Sequence, residues 1–102
     1  LNLAVLRFLK HLVEVADAQG VPISICGEIA GEPRYTMVLV GLGFRQFSMS
    51  PAYLYQVKRI IRSVSTRECH ELVEDLMKLE ITADIENRVR DAFKVKFPDI
   101  YL

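Results

Sequence analysis

Of the two cysteines in the 102-residue sequence, Cys26 and Cys69, Cys26 has the setting that suits chemistry. It closes Val21-Pro22-Ile23-Ser24-Ile25-Cys26, a short segment rich in β-branched residues and opened by a proline, as the first positions of a strand allow. Gly27 follows at once and permits a sharp backbone turn. The loop Gly27-Glu28-Ile29-Ala30-Gly31-Glu32-Pro33 then leaves room for a ligand to approach the main chain. In parallel α/β folds, ligands collect outside the carboxyl ends of the strands. A thiol held there can donate or accept a proton, or attack as a nucleophile. It can equally be a buried side chain with no chemistry, because free cysteine is among the most buried residue types.

The remaining candidates read more plainly. Cys69 and His70 are adjacent within an amphipathic pattern, so they do not share one helix face and cannot hold one metal at the usual spacing of three or four. A core thiol beside a surface imidazole is expected, and His11 is expected to be solvated. Lys58, Arg59 and Arg62 form a basic turn near a helix end, where the macrodipole favours cations. Glu28 and Glu32 flank the glycine loop, either supporting a site or simply facing solvent.

These residues need elements to position them. From Val5 to Ala18 apolar residues recur at three- and four-residue spacing, with Gly20 as a stop, which predicts a helix. The expected strand from Val21 to Cys26 comes next. A helical stretch over Arg34 to Val40 follows, with Pro33 suiting a first turn and Gly41 and Gly43 ending it. A second strand is expected from Phe44 to Met49. Ser50-Pro51 opens another helix, with Leu54, Val57, Ile60, Ile61 and Val64 as its buried stripe. Ser65-Thr66-Arg67-Glu68 has capping-box spacing before a helix carrying Cys69, Leu72, Val73, Leu76 and Leu79. Thr82 caps a last helix with Ile85, Val89, Ala92, Phe93 and Lys96 on one side, stopped near Pro98. Alternating helices and short apolar strands predict an α/β fold with parallel pairing through right-handed crossovers.

Composition narrows the function classes. Thirteen basic residues balance thirteen acidic ones, so no whole-chain field favours nucleic acid or an anionic membrane. The apolar content of 51% and mean hydropathy of +0.20 are high for a soluble chain. Apolar runs such as Met37 to Val40 reach only four residues and are far too short to span a membrane. Two cysteines are too few for a disulfide framework, and no secretory signal is visible, so a reducing, cytoplasmic setting is expected. The opening Leu1-Asn2-Leu3-Ala4 reads as a cut from a longer chain, and only one domain, residues 1–102, is expected.

The order Ile25-Cys26-Gly27-Glu28-Ile29-Ala30-Gly31-Glu32-Pro33, then Gly41-Leu42-Gly43-Phe44, then Phe47-Ser48-Met49-Ser50-Pro51 resembles enzyme I of the phosphotransferase system. Gln56-Val57-Lys58-Arg59-Ile60-Ile61-Arg62 continues the likeness, which runs from about Ala4 to Val64. The Gly43-Phe44-Arg45 wording is nearer the nitrogen-regulatory branch than the sugar-transport one. Pyruvate phosphate dikinases and phosphoenolpyruvate synthases share a cysteine at the corresponding strand end and are the alternative relatives.

The resemblance implies a fold and a role. The chain would be the C-terminal portion of a phosphoenolpyruvate-binding (β/α)8 TIM barrel, its two strands the seventh and eighth, with C-terminal helices after them. Cys26 aligns with the family's proton donor, which protonates C3 of enolpyruvate after the phosphoryl group has gone to an enzyme histidine. A thiol suits that task, its ordinary pKa being about 8.5. The family also implies phosphoenolpyruvate and magnesium as ligands, a histidine-containing phosphocarrier protein as acceptor, and a homodimer assembled through the barrel. Its magnesium carboxylates, phosphate-binding arginines and phosphorylated histidine lie upstream of these residues, so the fragment alone is expected to be inactive. A non-catalytic dimerisation module is the competing reading, suggested by the high apolar content.

Overall fold

The computed structural model describes residues 1–100, so the expected unit of residues 1–102 extends two residues beyond the described part. Asn2 opens helix α1 (Leu3–Gln19), its Oδ1 accepting the Val5 N–H at 3.0 Å. A short polar side chain in this position satisfies a donor that the helix itself cannot pair. Gly20 closes α1 at φ 65°, a left-handed conformation natural to glycine, with its N–H on the Ala16 and Asp17 carbonyls. The expected helix is therefore present and starts two residues earlier. Its buried side chains are Leu6, Val13 and Ala16, whereas Val5, Phe8, Leu12 and Val15 face outward.

The expected α/β architecture is not what the chain adopts. Among the described residues there is no strand, sheet or barrel; residues 21–26 and 44–49 are extended and meet in one isolated parallel bridge, Ile25 with Phe47. The burial pattern supplies the reason. Ile23 and Ile25 are half-buried while Ser24 and Cys26 are exposed, and Val21 is 56% exposed. Such a segment packs one face only, and its other residues have no neighbouring ladder, so pairing stops after one bridge. The two parallel strands expected from the resemblance are thus replaced by a two-bond clasp between helices.

Helices carry the fold. After the clasp's first arm come a four-residue helix, α2 (Glu28–Gly31), and a 3-10 turn at Pro33–Tyr35. Pro33 opens that turn, where its missing N–H costs nothing. Helix α3 (Thr36–Leu42) follows, and Gly43 at φ 110° ends it. Thr36, Met37, Val38, Leu39, Val40 and Leu42 are all buried. A helix apolar on every side belongs in the middle of a core, and α3 touches α1, α4 and α5.

Around it lie α4 (Pro51–Ser63), α5 (Thr66–Met77) and α6 (Thr82–Lys96). The α4 stripe is narrower than expected: Val57 and Ile60 are buried, but Leu54 and Ile61 are about two-fifths exposed. The capping box on α5 forms as expected, the Ser65 Oγ accepting the Glu68 N–H at 3.1 Å and Glu68 accepting the Ser65 N–H at 2.9 Å. Thr82 is the first residue of α6 rather than its cap, which is Ile81. Ile85, Val89 and Phe93 bury the inner face of α6, and Phe97 stacks on Phe93 with ring centres 5.3 Å apart just before Pro98.

Candidate functional site

Two backbone hydrogen bonds place Cys26. The Ile25 N–H donates to the Gln46 carbonyl at 2.9 Å, and the Ser48 N–H donates to the Ile25 carbonyl at 2.8 Å. Because the two segments run in parallel, the residues after Ile25 and those after Phe47 leave the clasp at the same end. Cys26 is exposed there. Gly27 follows at φ 81°, ψ −161°, a region open essentially to glycine alone. A Cβ on Gly27 would meet nothing within 4 Å, so the requirement is conformational: only glycine lets the chain turn this way directly after the thiol.

The turn runs into α2, whose Ala30 is fully buried. Beyond it Gly31 lies against Tyr53 of α4; a Cβ on Gly31 would stand 3.0 Å from the Tyr53 Cδ2. The stretch containing Cys26 is therefore held upstream by the clasp with residues 46–48 and downstream by a contact with Tyr53. Tyr53 meets Gly31 through its ring and Cβ carbons rather than its phenol, a contact that residue identity and spacing do not reveal.

The other candidates lie apart from Cys26. Cys69 is fully buried, and burial first, then the neighbouring Glu68 carboxylate, pushes its thiol up to about 11. His70 points away from it into solvent and pairs with Glu74 at 3.1 Å. The expected core thiol beside a surface imidazole is what is found. His11 is exposed. Glu28 is exposed, and Glu32 lies 3.7 Å from Arg34.

The basic turn has a partner that spacing alone did not reveal. Arg59 donates to both oxygens of Asp99, at 2.7 and 3.0 Å, with its guanidinium 5.8 Å from the centre of the Phe97 ring. That bidentate bond holds the Asp99 carboxyl below the ordinary carboxylate range. It ties α4 to the chain beyond α6, a structural task. Tyr35 donates to Glu86 of α6 at 2.8 Å, and burial followed by that carboxylate pushes its phenol up to about 12.

The roomier concavity, about 730 Å³ between α1, α3 and α5, does not include Cys26. Several of its rim charges are engaged: His70 with Glu74 at 3.1 Å, Arg67 with Glu71 at 3.4 Å, and Arg45 on the Val40 and Phe44 carbonyls, both at 2.8 Å. Cys26 and this hollow lie on different parts of the chain. The geometry around Cys26, a solvent-reached thiol on a backbone pinned at both ends, suits delivery of a proton to a bound group.

Comparison with known proteins bears on this site. A family model described as the PEP-binding domain of PEP-utilising enzymes matches residues 1–66, which span α1 through α4 and include Cys26. The phosphoenolpyruvate-protein phosphotransferase of Cupriavidus necator is 38% identical over 78 residues, 76% of this chain and 13% of that protein. That of Mycoplasma pneumoniae is 32% identical over 102 residues, 100% of this chain and 18% of that protein. That of Staphylococcus carnosus is 33% identical over 93 residues, 91% of this chain and 16% of that protein. The chain spans less than a fifth of the length of these curated relatives.

Proposed function

We propose, from the premise that this chain belongs to the PEP-utilising enzymes within their PEP-binding domain, that it is the part of a phosphoenolpyruvate-protein phosphotransferase which carries the proton donor, Cys26. The observation behind this reading is the exposed thiol at the end of the clasp, followed by a glycine in a conformation that only glycine adopts readily. In the reaction the phosphoryl group of phosphoenolpyruvate passes to a histidine of the longer protein and leaves enolpyruvate. The Cys26 S–H bond then breaks, the C2=C3 π pair of the enolate takes its proton onto C3, and a lone pair on the C2 oxygen becomes the π bond of the pyruvate carbonyl. The thiolate left behind regains a proton from water. Exposure suits that last step, and a well-placed acid contributes typically 10²–10⁴-fold.

Cys69 is unsuited to the same work, being buried with its thiol pushed up to about 11. Magnesium belongs to the proposal for the longer protein. Among the described residues no three His, Cys, Asp or Glu side chains converge, so these residues do not compose a site for it and no step above runs through it. The phosphohistidine would pass its group to a histidine-containing phosphocarrier protein. The Gly43-Phe44-Arg45 wording favours the nitrogen-regulatory branch. A cytoplasmic homodimer is part of the same reading; the outward Phe8, Leu12 and Val15 of α1 support an assembly role. Among the described residues no helix is long and apolar enough to cross a membrane.

The decisive experiment replaces Cys26 by alanine in the full-length protein and follows one turnover. Phosphorylation of the enzyme by phosphoenolpyruvate should persist while pyruvate appears at least about 100-fold more slowly, the size of effect expected for loss of a general acid. Pyruvate formation at the parent rate would remove Cys26 from the mechanism. A full-length protein that sediments as a monomer at micromolar concentration would remove the dimer.

A further inference from the structure

We propose that Tyr53 is a positioning residue for Cys26, acting through Gly31: its ring is the second of two anchors that hold the Cys26 turn against residues 46–53. The inference rests on the reading of Cys26 as proton donor and adds the group that keeps the donor in place.

Four of the chain's five glycines bear on the argument. Gly20, Gly27 and Gly43 have positive φ, so glycine there answers a backbone demand. Gly31 has no such φ, and its missing side chain makes room. A Cβ would lie 3.0, 3.2 and 3.4 Å from the Cδ2, Cγ and Cβ of Tyr53. The ring of Tyr53 occupies the space that any other residue at position 31 would need. Tyr53 is itself 51% exposed, so one side of the ring lies on α2 and the other faces solvent. This is not a core contact; removing it opens no large cavity.

What the contact holds is local. Helix α2 has four residues, too few to be stable without tertiary support, since isolated helices shorter than about 12 residues are marginal. Its N-cap Gly27 makes no side-chain cap bond. Upstream of Cys26 the chain is fastened by the two bonds between Ile25 and residues 46 and 48. Downstream it is fastened by buried Ala30 and by Gly31 on Tyr53. The Ile25 bonds and the Gly31 contact come from one neighbouring stretch, residues 46–53, while α3 also touches α2, so residues 25–31 form a loop held at its two ends with the thiol between them. Proton transfer is sensitive to placement on the ångström scale, and a clamp of this kind sets that placement.

The test uses the full-length protein with Tyr53→Ala, Tyr53→Phe, Gly31→Ala and the double variant Tyr53→Ala/Gly31→Ala. Tyr53→Ala should slow conversion of phosphoenolpyruvate to pyruvate at least fivefold in kcat, with KM and the rate of enzyme phosphorylation within twofold. Amide exchange should speed at least tenfold at residues 29–32 and stay within twofold in α3 and α5. Tyr53→Phe keeps every contacting carbon and should match the parent. Gly31→Ala should slow pyruvate formation in the parent but change it less than twofold when Tyr53 is already alanine. The proposal is overturned if Tyr53→Ala leaves both kcat and local exchange within twofold. It is also overturned if Tyr53→Phe is as impaired as alanine, or if Gly31→Ala acts equally in both backgrounds. Should Cys26→Ala leave pyruvate formation intact, the donor reading fails separately, and amide exchange still reports whether Tyr53 fastens the turn.

Discussion

Gly41 of α3 lies flush against the backbone of Cys69 on α5: a Cβ on Gly41 would run into the Cys69 carbonyl and come within 2.7 Å of a Val73 methyl. The two helices cross almost backbone to backbone, with nothing but hydrogen on the α3 side. That closeness brings the apolar sides of α3 and α5 together, and Val38, Leu39, Cys69 and Leu76 all reach complete burial. Gly41 is inside a helix, where glycine ordinarily weakens stability by about 0.5–1 kcal/mol relative to alanine. Here packing overrides that propensity.

Gly41→Ala should therefore destabilise the fold rather than improve its helix. The obstruction is a main-chain carbonyl that cannot rotate aside, so α3 and α5 must separate; overpacking of this kind costs typically about 1–3 kcal/mol. Urea unfolding should show a lower midpoint with an unchanged slope. An equal or higher midpoint would mean that the helices part at no cost.

How much of this was legible in the sequence varies with the range of the signal. Helix ends written in local chemistry were readable: Gly20 after α1, Pro51 opening α4, and the Ser65-Glu68 pair on α5 each act within one turn. The segment Ile23-Ser24-Ile25-Cys26 also carried its answer, because its alternation is that of a segment packed on one face. The β-branched richness of that segment pointed instead to burial on both faces, and with it to a sheet. Contacts between distant positions left little trace. Nothing near Tyr53 points to Gly31, and Arg59 gives no sign that it reaches Asp99. Cys26 stood out because its signal, a thiol followed by a glycine turn, is contained in two adjacent residues.

Cys69 makes stability depend on alkaline pH. Burial pushes its thiol up to about 11 in the folded chain, above its ordinary value, so the folded state holds the proton more tightly. The contribution is complete below pH 9 and is lost as pH rises from about 9 to 11. Two pH units correspond to roughly 2–3 kcal/mol. Comparing urea unfolding of the parent with Cys69→Ala across that range isolates it from the titration of Tyr35, which both proteins share. The parent should lose stability more steeply; parallel curves would show that Cys69 titrates alike folded and unfolded.

Thr36 offers the opposite kind of change. It is completely buried at the start of α3, and its Oγ1 has no hydrogen-bond partner among the described residues. Thr36→Val keeps the branched shape and removes the unpaired hydroxyl, whose burial costs about 1–3 kcal/mol on mutational scales. Thermal unfolding should occur at a higher temperature in the variant. A lower one would show that the hydroxyl has found a bond worth more than its burial costs.

Glu68 is used twice, and the Ser65 hydroxyl half of its cap can be separated from its ion pair. It completes the α5 cap by accepting the Ser65 N–H at 2.9 Å, and it accepts from Lys96 of α6 at 2.9 and 3.1 Å. Lys96 first, and the Ser65 backbone second, hold its carboxyl below the ordinary range. A lowered carboxyl contributes stability above its ordinary pKa and loses it as pH falls through the folded value. Both Glu68 and Lys96 are more than a third exposed, so water screens the pair and its share stays small. Ser65→Ala removes the hydroxyl half of the cap, the Oγ that accepts the Glu68 N–H, and leaves the Glu68 bond to the main-chain N–H and the ion pair in place. It should cost about 1 kcal/mol at every pH above 5. Lys96→Met removes the ion pair and leaves the cap; it should cost less, and only at low salt. Chemical unfolding of both variants at 20 mM and 500 mM salt (on the order of 20 and 4 Å screening lengths) separates them: a Ser65→Ala loss that vanished at high salt would mean the cap works through charge rather than through its hydrogen bonds.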